Sequence, residues 1–263
     1  MRAVLIAFLL TTATALPADE LRVFSVAQLE ALGRALYDQD RRASIASEML
    51  DDHFDPEEEK INGWVIEGDV KHTVVRFIRN TEQGPVAILD AVFDDLLLPS
   101  FSRSTTPTLT PFQSSQLAAR EAARPYLKDP CSRRFDNATL PDPDGTGILV
   151  YALALSDDPK EVMIGGHYRF SMSRDGKNVN RAEALSTSCV AAPRERLHGT
   201  DAEQGLAIRA NLSDTPLETH VLLSLKEKVP LFVVTRDLKM WKVENGKMIV
   251  IRDKPGPLST AQH

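Results

Sequence analysis

The stretch Met163–Gly176 reads MIGGHYRFSMSRDG, and from Met163 to Ser173 its side chains alternate. Ile164, Gly166, Tyr168, Phe170 and Met172 fall on one side, and His167, Arg169, Ser171 and Ser173 on the other. A period of two is the signature of a β-strand. Asp175-Gly176 then supplies a two-residue hairpin turn, so the next strand returns antiparallel. Just upstream, Ile148 to Leu155 is apolar at both parities, as expected of a central strand covered on both faces.

Outward from this hairpin the same signals recur. Leu206 to Leu212, Thr219 to Leu225 and Val229 to Thr235 read as strands, and Asn245-Gly246 joins Met240–Val243 to Met248–Ile251 as a second hairpin. In the N-terminal half, Gly63 to Glu67, His72 to Arg79 and Pro85 to Phe93 are short β-rich runs with Gly68-Asp69 and Gln83-Gly84 between them. Two segments carry helix signals. Ser25-Val26-Ala27-Gln28 has the form of a capping box, followed by Leu29, Leu32, Leu36, Ala46, Met49 and Leu50 at helical spacing, which predicts one bent helix or two short ones over residues 25–52. Thr110 as N-cap, Pro111 at the first helical position and Gln113 start a second helix, over 111–127.

Hairpin-length gaps leave no room for parallel crossovers, so the predicted class is α+β, antiparallel and β-rich with two main helices. The expected organisation is an α+β unit at 19–98, a Ser/Thr/Pro-rich linker or loop at 99–110, a β-rich unit at 111–253 and a disordered tail at 254–263. Helix followed by strands occurs twice and raises the idea of two related helix-plus-sheet units. No residue-level repeat accompanies it.

Residues 1–18 have the form of a secretory signal peptide, with Met1-Arg2, an apolar run from Ala3 to Leu10 and the small-residue exit Ala13-Thr14-Ala15. The expected location is the periplasm or the extracellular medium. No later apolar run approaches the ~20 residues of a spanning helix, so the mature chain is read as not integral to a membrane. The 31 basic and 37 acidic residues give a formal net charge of −6, one unit more negative once Arg2 leaves with the leader. That balance argues against nucleic acid as a partner. Cys131 and Cys189 are the two cysteines of the chain and in an oxidising compartment are expected to pair. The bridge closes a loop of about 57 residues, for which loop entropy gives about 4 kcal/mol.

The row His167, Arg169, Ser171, Ser173 is the first candidate ligand surface, because a histidine and an arginine aimed the same way can clamp a small anion. The plainer reading, preferred here, is the solvent face of a half-buried sheet. His220, read as the start of an apolar strand, could meet His167 across the sheet. Asp142 and Asp144, in the D-x-D-G element before Gly147, are the candidate calcium ligands. An EF-hand is excluded, since with Gly145 at the sixth place Leu140 falls at the first and Tyr151 at the twelfth. A turn explains the element equally well. The carboxylates of Asp51 to Glu59 read as a solvated helix end, and Trp64 and Trp241 as core.

The chain carries no G-x-S-x-G, S-x-x-K or H-E-x-x-H pattern, and no motif calls for a cofactor. The function expected from sequence is a non-catalytic, exported binding or interaction module of the bacterial envelope, taking an envelope protein or a small anionic ligand through a sheet face or edge. The alternative is a periplasmic or secreted hydrolase with a site assembled from His167, Arg169, His220 and a carboxylate such as Asp142 or Asp144.

Overall fold

The computed structural model describes residues 20–69, 71–94, 98–127, 131–145, 147–198 and 205–253. The expected leader at 1–18 and the expected tail at 254–263 lie outside the described residues. Ser25 and Gln28 cap each other's backbone as the sequence predicts, and the helix they open, α1 (Val26–Leu50), runs without a break. The polar stretch Asp38 to Arg42 does not interrupt it, because Gln39, Asp40 and Arg42 each bond to a neighbouring element. One half of α1 buries Leu29, Leu32 and Leu36 in the largest core, and the other buries Ala46 and Leu50 in a second core.

That second core is closed by an antiparallel sheet of β1 (Gly63–Gly68), β2 (His72–Thr81), β3 (Gly84–Asp94) and β4 (Ser100–Arg103), paired in chain order. The Ser/Thr/Pro segment therefore opens as an edge strand. Its continuation is fastened by the buried Arg76, whose guanidinium donates to Asp90 at 2.9 Å, Ser104 Oγ at 2.6 Å and the Thr108 carbonyl at 3.4 Å. Thr110 and Gln113 then cap α2 (Pro111–Ala123), which passes into a 3₁₀ turn at Arg124–Tyr126, where Pro125 removes the next helical donor.

The sequence around residues 135–193 builds β5 (Phe135–Pro141), β6 (Ile148–Ala154), β7 (Glu161–Met163), β8 (Tyr168–Met172), β9 (Val179–Ala184) and β10 (Ala191–Pro193). β5-β6-β8-β9 form an antiparallel sheet, and β7 pairs with β10 apart from it. All seven residues of β6 are buried, α2 covering Ile148, Val150 and Ala152 and the largest core covering Leu149, Tyr151 and Leu153. The alternating run is thus two short strands, not one. It breaks at Gly165-Gly166, where Gly166 has φ 83° and a Cβ would stand 2.6 Å from that of Cys131. The hairpin after β8 is present, but its loop spans Arg174 to Lys177, with Ser173 N–H bonded to the Asn178 carbonyl.

The remaining chain supplies α3 (Arg194–His198), β11 (Leu206–Ala210), α4 (Glu218–Glu227), β12 (Leu231–Thr235), β13 (Met240–Glu244) and β14 (Lys247–Arg252). Thr219 to Leu225, expected as a strand, lies in α4. Its β-branched Thr219 and Val221 favour strand locally, but Glu218 in the first turn, Lys226 in the last and the left-handed Lys228 after it are helix-end signals. Because α4 is a crossover, β11 and β12 pair in parallel, the one departure from the antiparallel expectation among the described sheets. The overall class is α+β as predicted, with α4 as a third sizeable helix. The Asn245-Gly246 hairpin forms with both residues at positive φ, 51° and 75°, as a type I′ turn requires.

α1 and α4 lie in close contact, and Gly33 makes it possible, since a Cβ there would stand 2.4 Å from Val221 Cβ. Helix side chains also engage three strand edges. Gln116 bonds both backbone groups of Ile66 on β1, Gln39 both of Thr139 on β5, and Glu30 the Met248 N–H on β14. Among the described residues no helix is long and apolar enough to cross a membrane.

Candidate functional site

Strand register places Tyr151 on β6, Arg169 on β8 and Glu183 on β9 directly opposite one another. All three are buried, and Arg169 has 0% of its surface exposed. Of the polar row expected on a solvent face, His167, Arg169 and Ser171 are buried, because α4 and the segment around Arg22 and Phe24 cover this side of the sheet as well. Arg169 Nε donates to Glu183 at 2.8 Å, Nη1 to Glu218 at 2.7 Å and Nη2 to the Arg22 carbonyl at 3.0 Å. Glu218 arrives from the first turn of α4 and also accepts the Tyr151 hydroxyl at 2.9 Å.

The N-terminal segment closes this network. Arg22 grips Asp142 with two bonds of 2.6 and 2.7 Å, reaches Asp144, and donates to Ser171 Oγ at 3.2 Å. The guanidinium groups of Arg22 and Arg169 both lie over the Phe24 ring, 4.6 and 4.8 Å from its centroid, a geometry in which the aromatic ring attracts both cations. The Arg22 N–H bonds Glu183, whose carboxylate also takes Arg181 Nε at 2.9 Å.

The electrostatics follow from these contacts. Burial works against the Arg169 charge, but Glu218 and Glu183 outweigh it and hold the guanidinium above its ordinary value. Burial likewise opposes ionisation of Glu183 and Asp142, yet the hydrogen bonds from Arg169 and Arg22 keep both below the usual carboxylate range. Burial, then the Glu218 charge, pushes Tyr151 well above a free phenol. Five of the residues singled out by sequence thus meet different fates. Arg169, Ser171, Asp142 and Asp144 join one internal ion network, whereas Ser173 turns away to bond Asp175 at 2.6 Å. Among the described residues no group of three His, Cys, Asp or Glu is placed to hold a metal ion.

The two histidines lie elsewhere and together. His167, just before β8, and His220, in the first turn of α4, line one cavity of about 310 Å³. His220 is helical, not the head of a strand, and its Nδ1 accepts the Leu217 N–H at 2.8 Å. His167 Nδ1 accepts the Ala154 N–H at 3.0 Å. Burial pushes both imidazoles down to about 4, the neighbouring His220 adding to the effect on His167. Both are therefore neutral at pH 7. The other walls come from residues 185–190, from β11 and from the loop after it, and no carboxylate lines the cavity among the described residues.

The Cys131–Cys189 disulfide forms as predicted, with Cα atoms 5.2 Å apart. It ties the Ser188–Val190 wall of the cavity to the start of β5. A second cavity of about 160 Å³ shares His167 and Thr219 with the first and holds Asp40, Asp136 and Lys226. Asp136 is held above the usual carboxylate range by burial and by Asp40, while Asp40 accepts Lys226 at 2.9 Å. Asp40, Asp136, Glu183 and Glu218 had no sequence signal, since each is an ordinary acidic residue until the fold brings it beside a cation. The chain matches no protein-family model, no curated protein and no solved structure. Its activity is therefore read from this geometry.

Proposed function

We propose that the protein is an exported, non-catalytic binding module of the envelope, and that it binds a small molecule in the His167–His220 cavity. One observation carries this. The strongly charged groups of the interior, Arg22, Arg169, Glu183, Glu218 and Asp142, are engaged with one another, while the cavity beside them has two uncharged imidazoles and, among the described lining residues, Arg209 as its one charged side chain. A hydrolytic centre needs a general base within reach of a nucleophile or water, and here the imidazoles lack a carboxylate partner in the cavity. Concave, mainly apolar walls with a few convergent polar groups are the usual character of a small-molecule site. Helix side chains engage three strand edges, which favours the cavity over strand addition as the mode of binding. The leader-like residues 1–18 and the disulfide support export.

Hydrolysis is the second reading, favoured by Asp136, whose raised carboxyl lies across the His167 wall in the neighbouring cavity. The test is native mass spectrometry of the mature protein recovered from its own envelope fraction, beside an Ile208→Trp variant whose cavity is filled. A small molecule that leaves on denaturation, present on the wild type and absent from the variant, is the expected result. A bare protein that instead turns over ester or amide substrates, with loss of turnover in Asp136→Asn, would replace binding by hydrolysis.

A further inference from the structure

Resting on the cavity as the binding site, we propose that it takes a small monocarboxylic acid with an apolar body, its carboxylate seated against His220 and Thr219 at the start of α4. Three independent features of the cavity agree on that chemistry.

The first is an unused donor. His220 is 6% exposed and accepts the Leu217 N–H at Nδ1, so its neutral ring carries the proton on Nε2. That Nε2–H has no hydrogen-bond partner among the described residues, and the residue lines the cavity. An acceptor on a ligand in the cavity can take it. Water could fill the role, but a carboxylate oxygen makes the stronger, charge-assisted bond.

The second is the sign of the surroundings. Leu217, Thr219 and His220 place the first turn of the ten-residue α4 at the cavity, where the helix dipole favours an anion. Thr219 adds a hydroxyl to the same wall. Arg209 lines the cavity with its Nε held by Asn211 at 2.9 Å, which puts a cation at the mouth. No carboxylate among the described lining residues opposes these groups. The internal anions Glu183 and Glu218 face Arg169, away from the lining.

The third is the shape of the rest. Ile164, Leu185, Val190, Ile208 and Leu212 supply the apolar part of the lining. A volume of about 310 Å³ lies at the small end of the range of about 300–1,000 Å³ for small-molecule sites. It accommodates a short aliphatic or a single-ring acid.

Isothermal titration calorimetry of the mature protein with butanoate, hexanoate, octanoate and benzoate, each beside its primary amide, tests the assignment. Two variants accompany it, with circular dichroism confirming that they are folded. His220→Met supplies no hydrogen-bond donor and keeps a weak thioether acceptor, and Ile208→Trp fills the cavity. At least one acid is expected to bind ten-fold or more tightly than its amide. His220→Met should abolish that preference, and Ile208→Trp should abolish binding of both. Equal affinity for acid and amide, lost on Ile208→Trp, overturns the acid assignment and leaves the cavity as a binding site. Absence of binding by every compound, or binding that Ile208→Trp does not change, overturns both.

Discussion

Arg169 and Glu183 stand opposite each other on neighbouring strands and join at 2.8 Å with neither side chain exposed to solvent. Such a pair does not add much stability over a well-packed apolar substitute, but removing one partner leaves the other charged and buried. Arg169→Met abandons two carboxylates at once, Glu183 and Glu218. The expected loss is about 3–5 kcal/mol, measured as a fall in the urea midpoint. Combining Arg169→Met with Glu183→Gln and Glu218→Gln should recover part of it. A loss below about 1 kcal/mol for Arg169→Met would show that the network is dispensable.

The same network and the two histidines set the pH dependence. The imidazoles are held at about 4 in the fold against about 6.5 in the unfolded chain. Between those values the unfolded state binds protons that the native state refuses, so stability is full above pH 6.5 and falls as pH drops toward 4. Each imidazole contributes up to about 3 kcal/mol to that slope. Glu183 and Asp142, whose carboxyls are depressed, contribute stability that is present above the ordinary carboxylate range and is lost at still lower pH. Denaturation curves recorded from pH 8 to 4 should show this decline, and His167→Gln with His220→Gln should flatten its upper part. A wild-type midpoint constant from pH 7 to 5 would contradict neutral, buried imidazoles.

Gly33→Ala tests the contact of α1 with α4. The new methyl would meet Val221, and overpacking of this kind costs about 1–3 kcal/mol even though alanine is the better helix former. Val221→Ala introduced beside it should restore some of the loss, a coupling that a double-mutant cycle reads directly. Additive effects would mean that the two helices simply move apart.

Loss of the disulfide should act on the cavity wall. Paired replacement of Cys131 and Cys189 by serine is expected to cost about 2–4 kcal/mol and to raise amide exchange of residues 185–190 more than that of β6. Uniform loss of protection across the sheet would show that the bridge holds the fold as a whole.

How far the sequence carried can be judged residue by residue. Ser25 with Gln28, Thr110 with Gln113, and Asn245-Gly246 act through neighbours in the chain, and each formed as read. The all-apolar β6 also announced its burial. α4 was missed because Thr219, Val221 and three leucines satisfy strand and helix alike over so short a run, and the deciding partner, Gly33, lies far away in sequence. Arg169 was legible as a special residue but not as a buried one. Its row looks polar on a strand, and only Glu183, Glu218, Arg22 and Phe24, brought from three other parts of the chain, turn that face into an interior. The sequence raised a meeting of the two histidines across a sheet, and no such meeting of strands occurs, since His220 lies on a helix. The two histidines meet because a bend at Gly165-Gly166 and the first turn of α4 face one cavity.

The central claim is that the charged groups are committed to the fold while the His167–His220 cavity is the place where a ligand binds. Long-range ¹H–¹⁵N spectra of the imidazoles and of the arginine Nε–H groups, recorded on residues 19–263 with and without saturating hexanoate, test it most directly. The account predicts that the His220 Nε2 signal shifts on addition of the acid while the Arg169 Nε–H signal stays in place. A shift confined to Arg169, with His220 unmoved, would contradict it.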